Sequence, residues 1–240
     1  LQGADRVNWV VRTGPSRSGA VNPWMVIVIS ALALAVMSST LVVPEAMDGG
    51  WIDSWGFKPS RISELLSGEP GLSESLGLAG LVSALFAHST WLHLAGNVAY
   101  LWVFGIPVER ALGHLRFAGL FLLLGALANL FVALRIPELD RTIIGASGGV
   151  SAVIGVYLGL FPTRRIGLWL PLGLFLQFAR IPALLVIGSW FTLQVLYTVF
   201  GPMSDAVAWR THVAGFVAGV LVALMIRLFS GKVTYTGSGD

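Results

Sequence analysis

Six long apolar runs divide this chain of 240 residues, and that pattern leaves few folds open to it. A helix needs about 20 predominantly apolar residues to cross the hydrocarbon core of a bilayer. Runs near that length lie at about 23–43, 85–106, 117–134, 143–161, 182–200 and 209–229. Charged residues make up only 11% of the chain, against about a quarter in a soluble domain. The expected fold is an all-α polytopic membrane protein, a bundle of six transmembrane helices with a large outer loop between helices 1 and 2. A single membrane domain, 23–230, would be flanked by an N-terminal segment, 1–22, and a C-terminal tail, 231–240. The first run is too long and too central to its flanks for a signal peptide, and no small-residue cleavage site follows it.

The loops give an orientation. The N-terminus, the 107–116 and 162–181 loops and the C-terminus carry ten Lys and Arg residues, and the opposite side carries five. The positive-inside rule then puts the N-terminus in the cytoplasm of a cell whose inner (plasma) membrane holds the chain. The outer loop, about 44–84, mixes Trp51, Trp55, Phe57, Ile62, Leu65, Leu66, Leu72, Leu76 and Leu78 with charges, a pattern that suits an amphipathic helix lying on the outer leaflet. An ordinary solvated loop with some buried apolar residues is the plainer alternative. The 163–181 segment is apolar enough to lie on the inner face, and Pro171 and Pro182 argue against one unbroken helix from 166 to 200. The net charge of +3 is spread over several loops, which suits lipid headgroups and not nucleic acid. Without cysteine, no disulfide or thiolate metal site can form.

Against this apolar background a few polar residues stand out, because hydroxyl, amide and imidazole groups lose water in hydrocarbon. His93 and Asn97 are spaced i, i+4 and share a helix face. Ser147 and His212 each fall about one turn into a run that enters from the same outer side. The four groups therefore reach a similar depth, which points to a shared cavity opening to the outer face. Gly148, Ala152 and Gly155 form one small-residue stripe, and Gly215 and Gly219 form another. If the stripes face each other, Ser147 Oγ comes within reach of His212 as a base-activated nucleophile requires. On the stripes alone, plain helix packing is the stronger reading. With the polar set included, His212 takes the proton of Ser147, which attacks a peptide carbonyl. His93, Asn97 and the Ser147 N–H would meet the oxyanion, and Gly145 and Gly148 would clear the approach. No acid lies inside the runs to orient His212, so the expectation is a dyad.

Other readings fit less well. Gly145 to Gly149 also spells GxSxG, and Ser147, Asp205 and His212 follow hydrolase order, but that elbow needs a soluble α/β sheet. His88, His93, His114 and His212 lack a metal-binding spacing, so no metal or other cofactor is expected, and His88 suits a structural bond to loop backbone. A transporter would show paired inverted halves, which are not visible.

The motifs together resemble those of the rhomboid intramembrane serine proteases, across about 22–230. His88, His93 and Asn97 match HxxxxHxxxN, Glu109 to Gly113 match ExxxG, Gly145 to Gly148 match GxSG, and His212 to Gly219 match HxxGxxxG. The resemblance implies a six-helix bundle whose fourth helix starts deep in the membrane. It implies Ser147 as nucleophile, His212 as base, and His93 with Asn97 at the oxyanion. It also implies cleavage of single-span membrane proteins near their transmembrane segment, without metal. A silent client-binding relative and a branch that trims C-terminal sorting tails are the alternatives within the family. Two departures stand out. The stretch 78–86 has no Trp-Arg pair, and Ser151 occupies the position, four after the nucleophile, where an aromatic often packs on the base. Trp209 or Phe216 is expected to supply that packing.

Overall fold

The computed structural model describes residues 22–42, 50–67, 74–172, 175–201 and 206–229. The segment before residue 22, the tail 231–240, Leu72 and Asp205 lie outside the described residues. In chain order the elements are α1 (Trp24–Ser39), α2 (Gly50–Trp55), α3 (Pro59–Ser67), α4 (Glu74–Ser83), α5 (Trp91–Tyr100), α6 (Ile106–Leu112), α7 (His114–Arg135), α8 (Ser147–Leu160), β1 (Arg165–Leu172), β2 (Phe175–Pro182), α9 (Ala183–Phe200) and α10 (Ala206–Phe229). A π-helical turn, Leu101–Gly105, joins α5 to α6, so Trp91–Leu112 is continuous. Pro107 lacks the N–H that the Val103 carbonyl would accept, and the wider turn just before it lets the helix go on.

Among the described residues, four helices are long and apolar enough to cross a bilayer: Trp91–Leu112, His114–Arg135, Ala183–Phe200 and Trp209–Phe229. Two apolar helices are shorter, α1 with 16 residues and α8 with 14. The chain is therefore a mostly helical, multi-pass membrane protein, and its six apolar runs do not all become membrane-length helices. Large apolar side chains on the outside, among them Leu92, Leu115, Leu193, Phe200 and Leu228, suit a hydrocarbon solvent.

Several boundaries differ from the apolar runs. The second span starts at Trp91 and not near 85, because Thr90 Oγ1 caps it by accepting the His93 N–H at 3.1 Å. It then extends through 107–112, which the run pattern assigned to a loop. The fourth helix starts at Ser147, since Ile143 instead pairs with Phe57 in a short β-bridge. The sixth starts at Ala206, so His212 lies nearly two turns in. The all-α expectation also fails at 165–182, where β1 and β2 form an antiparallel hairpin with Arg165 opposite Pro182 and Leu172 opposite Phe175. Pro171 obstructs a helix there, and paired strands satisfy the backbone locally instead.

α8 is the central element, with every residue from Gly148 to Tyr157 buried. It packs against α7, α9 and, most extensively, α10. A methyl group added at Gly215 would strike the Gly148 carbonyl, and one at Gly219 the Ala152 carbonyl. Gly155 similarly abuts the Phe216 carbonyl, so the two small-residue stripes face each other with backbones in contact. α1 is held at its start by the buried Glu109 of α6, whose carboxylate oxygens accept the Met25 and Val26 N–H groups at 2.8 and 2.9 Å. His114 Nδ1 lies 2.6 Å from the same carboxylate. Gly113, at φ +85°, makes the turn between α6 and α7 that brings His114 back to Glu109.

The outer loop is folded onto the bundle. Phe57, Ile62, Leu81 and Ala84 form a small apolar cluster with Ala133 of α7. Asn129 of α7, buried, donates to the Leu81 carbonyl at 2.8 Å. Asp53 accepts from the Thr142 hydroxyl, and Lys58 lies 3.6 Å from Asp53 and 3.7 Å from Asp140. The Thr142 hydroxyl, with help from Lys58, holds the Asp53 carboxyl below its ordinary range.

Two outcomes follow. Gly219→Ala should push α8 and α10 apart and cost about 1–3 kcal/mol of stability. Gly188→Ala on α9, where an added methyl meets nothing within 4 Å, should not. Unfolding of the two variants in bicelles makes the comparison. The second outcome concerns pH. The Asp53 pKa is lowered in the folded state, so its contribution is complete above the ordinary Asp value of about 3.9 and is lost as pH falls through the folded value. Hydrogen-exchange protection at Phe57 and Ile143 should therefore weaken on acidification in the parent. In Thr142→Val that protection should already be weaker at neutral pH.

Candidate active site

The site is built around the first turn of α8. The approach to it, 136–146, is not helical, and several of its backbone groups bond to the outer loop. The Gly145 N–H donates to the Ala84 carbonyl at 2.8 Å, and Ile143 exchanges bonds with Phe57 at 2.8 and 3.2 Å. His88 completes the arrangement. Its Nδ1 lies 3.3 Å from the Phe86 carbonyl, and its Nε2 accepts the Ala146 N–H at 3.5 Å. A ring nitrogen that accepts cannot carry the proton, so this is the Nδ1–H tautomer. His88 is fully buried and fixes the residue just before Ser147.

Gly145 has φ +130°, a region that side chains rarely adopt. A methyl group there would sit 3.0 and 3.2 Å from the His93 ring atoms Cε1 and Nε2, and 3.6 Å from Ser147 Oγ. The bare face of Gly145 is thus the floor of a small space shared by His93 and Ser147. Both side chains are only partly covered. His93 is oriented from the other end, with Ser89 Oγ 3.3 Å from its Nδ1. Ser147 is the first residue of α8, and the first intrahelical bond runs from the Val150 N–H to the Ala146 carbonyl. The N–H groups of Ser147, Gly148 and Gly149 therefore have no partner within the helix and give the site the partial positive charge of a helix start.

His212 is carried by α10, the helix packed most extensively on α8. Its neighbour Thr211 lies against Gly148, with Thr211 Cγ2 2.9 Å from where a Gly148 methyl would be. Among the described residues, however, Ser147 Oγ makes no hydrogen bond to His212. The bond His212 makes is to Gln194 of α9, Nδ1 to Oε1, at 2.9 Å. Asn97 is buried beside His93 but donates its amide to the His93 carbonyl, 3.1 Å away in its own helix. The structure thus brings His88, His93, Gly145 and Ser147 around one space, and Gly148, Gly215 and Gly219 set the spacing between α8 and the helix that carries His212.

Gln194 was not assigned a role from the sequence, because the rotation of an apolar helix about its axis is not readable from its residues. The packing of His212 is resolved: Trp209 meets its ring edge-on, with centroids 5.6 Å apart and planes at 89°. Trp209 itself stacks on Tyr197 of α9. Phe216 instead stacks on Phe191.

The Gly145 floor gives a test. In Gly145→Ala the positive φ and the new methyl both oppose the native geometry, at a cost of about 1–3 kcal/mol. The His93 imidazole resonances should shift in the variant while those of His114, the first residue of α7, stay in place. An unmoved His93 signal would mean that the two groups do not share this space.

Comparison with known proteins gives one family. Residues 76–229 match the rhomboid domain. Rhomboid protein 1, mitochondrial, of Saccharomyces cerevisiae is 33% identical over 91 residues, covering 36% of this chain and 26% of that protein. Rhomboid-like protein 11, chloroplastic, of Arabidopsis thaliana is 26% identical over 159 residues, 62% of this chain and 52% of that protein. A putative rhomboid protease of Bacillus subtilis is 33% identical over 89 residues, 36% of this chain and 44% of that protein. The chain thus matches between about a quarter and about half of the length of these relatives.

Proposed function

The chain belongs to the rhomboid family, and on that premise we propose that it is an intramembrane serine endopeptidase working through Ser147 and His212. The observation that carries the reading is the space over Gly145, bordered by Ser147 Oγ and His93 Nε2 at the start of α8. Ser147 Oγ attacks the scissile carbonyl carbon while His212 Nε2 accepts its proton. The oxyanion is met by His93, by Asn97 once its amide turns from the His93 carbonyl, and by the unpaired N–H groups at the α8 start. Collapse of the intermediate expels the amine, which takes the proton from His212. Water then enters by the same steps and releases the acyl group from Ser147. The lack of a Ser147–His212 hydrogen bond does not oppose this, because catalytic hydrogen bonds are often loose without substrate and tighten when it binds.

The substrates on this reading are single-span membrane proteins, cut in or near their transmembrane segment, with no metal or other cofactor. Residues 23–230 form one membrane domain, the N-terminus lies in the cytoplasm of a cell with the chain in its inner (plasma) membrane, and the site opens to the outer face. The loop arginines support that orientation.

The test is covalent labelling of the full chain in detergent by a chloroisocoumarin that reacts with activated serines. The parent should label, and Ser147→Ala and His212→Ala should each lose the label while keeping their helical content. Ser147→Ala should also leave a substrate transmembrane protein uncut. Cleavage at the parent rate by Ser147→Ala would falsify the reading, and an unlabelled, inactive parent would favour a silent client-binding protein.

A further inference from the structure

α9 buries few of its own side chains, and the buried ones are Ala183, Ile187 and Gln194. Its neighbours Leu193 and Leu196 are exposed. A primary amide buried in such surroundings needs a partner, since an unmet amide in an apolar site is costly. The partner here is His212, whose Nδ1 lies 2.9 Å from Gln194 Oε1.

Resting on the reading of His212 as the base, we propose that Gln194 is a positioning residue: its amide oxygen holds His212 in the Nδ1–H tautomer and leaves the Nε2 lone pair for the Ser147 proton. A neutral imidazole has one N–H and one lone pair, and the nitrogen facing a carbonyl oxygen has to be the donor. Gln194 thereby does the orienting work of the buried carboxylate in a Ser-His-Asp triad, without placing an ionised group in an apolar site. Trp209 acts on a different degree of freedom. Its edge-on contact restricts the tilt of the ring, whereas Gln194 selects the protonated nitrogen.

The experiment uses the full chain with 15N-labelled histidine in bicelles, as parent, Gln194→Met and Gln194→Glu. The nitrogen shifts of His212 report which ring atom is protonated. The parent should have Nδ1 protonated. Gln194→Met, of similar length but without the acceptor, should lose that preference, and Gln194→Glu should keep Nδ1 protonated. On a transmembrane substrate, Gln194→Met should lower kcat on the order of 10²-fold with KM close to the parent value, and Gln194→Glu should recover part of the loss. A parent with unprotonated Nδ1 overturns the proposal, and so does a Gln194→Met variant with unchanged tautomer and kcat. Should Gln194→Met not fold, the parent and Gln194→Glu spectra still decide. A parent that neither labels nor cleaves defeats the protease reading instead, and the nitrogen shifts then judge the Gln194 bond by themselves.

Discussion

The shortness of α8 is the constraint on which the rest of the structure depends. Fourteen residues rise about 21 Å, less than the roughly 30 Å of a hydrocarbon core. The helix does not span that distance by itself, and the backbone leading to it, 136–146, is non-helical. Such backbone is tolerated only where other protein groups take its hydrogen bonds. Here those groups come from the outer loop: Phe57, Ala84 and His88 take up the polar atoms of Ile143, Gly145 and Ala146. The loop is thus part of the support for Ser147. The start of α8 is also where N–H groups without intrahelical partners collect, so the serine lies at the positive end of the helix dipole.

At the opposite end of α8 a second device controls the packing. α1 is also short, and its first N–H groups would be unpaired in an apolar setting. Glu109 answers them with both carboxylate oxygens while it is itself fully buried and paired with His114. That carboxylate comes at the end of a span kept continuous past Pro107 by the π turn, and Gly113 then turns the chain back at once. Phe117 and Phe104, above this corner, pack into the cluster that contains Val153, Ile154 and Tyr157 of α8. The Glu109 corner and the glycine contact with α10 therefore hold α8 from different sides.

Most of the architecture was legible in the residues, and what was not has a physical reason. Apolar length located the helices because hydrocarbon and helix packing make the same demand on side chains. It misplaced their starts at 85–90 and 143–146 because Leu85, Ala87 and Ala146 are buried by protein and not by lipid, a distinction composition does not carry. For 163–181 the sequence indicates an apolar segment on the inner face broken by Pro171 and Pro182, and proline announces a break but not the strand pairing that replaces the helix. Among the polar residues, His93 and Ser147 meet at the bare face of Gly145, while His212 is bonded to Gln194 of α9. Apolar patterning says nothing about rotation, which is why the role of Gln194 is not readable from the sequence.

Ser151 shows how the missing aromatic is compensated. It lies on the buried face of α8, at 2% exposure, in the helix whose glycines bring α10 into backbone contact. A large ring on α8 close to that contact would compete with the close approach that Gly215 and Gly219 permit. The aromatic contact on His212 comes instead from Trp209, one turn earlier on the same helix, where i, i+3 neighbours meet without any demand on α8. Trp209 is in turn backed by Tyr197, and the remaining ring nitrogen is held by Gln194, both on α9. The orientation of His212 is therefore divided between its own helix and α9. A displacement of α9 away from α10 would loosen the hydrogen bond and the stacked support of Trp209 together, so the geometry of the imidazole depends on the seating of a helix whose outer face is turned to lipid.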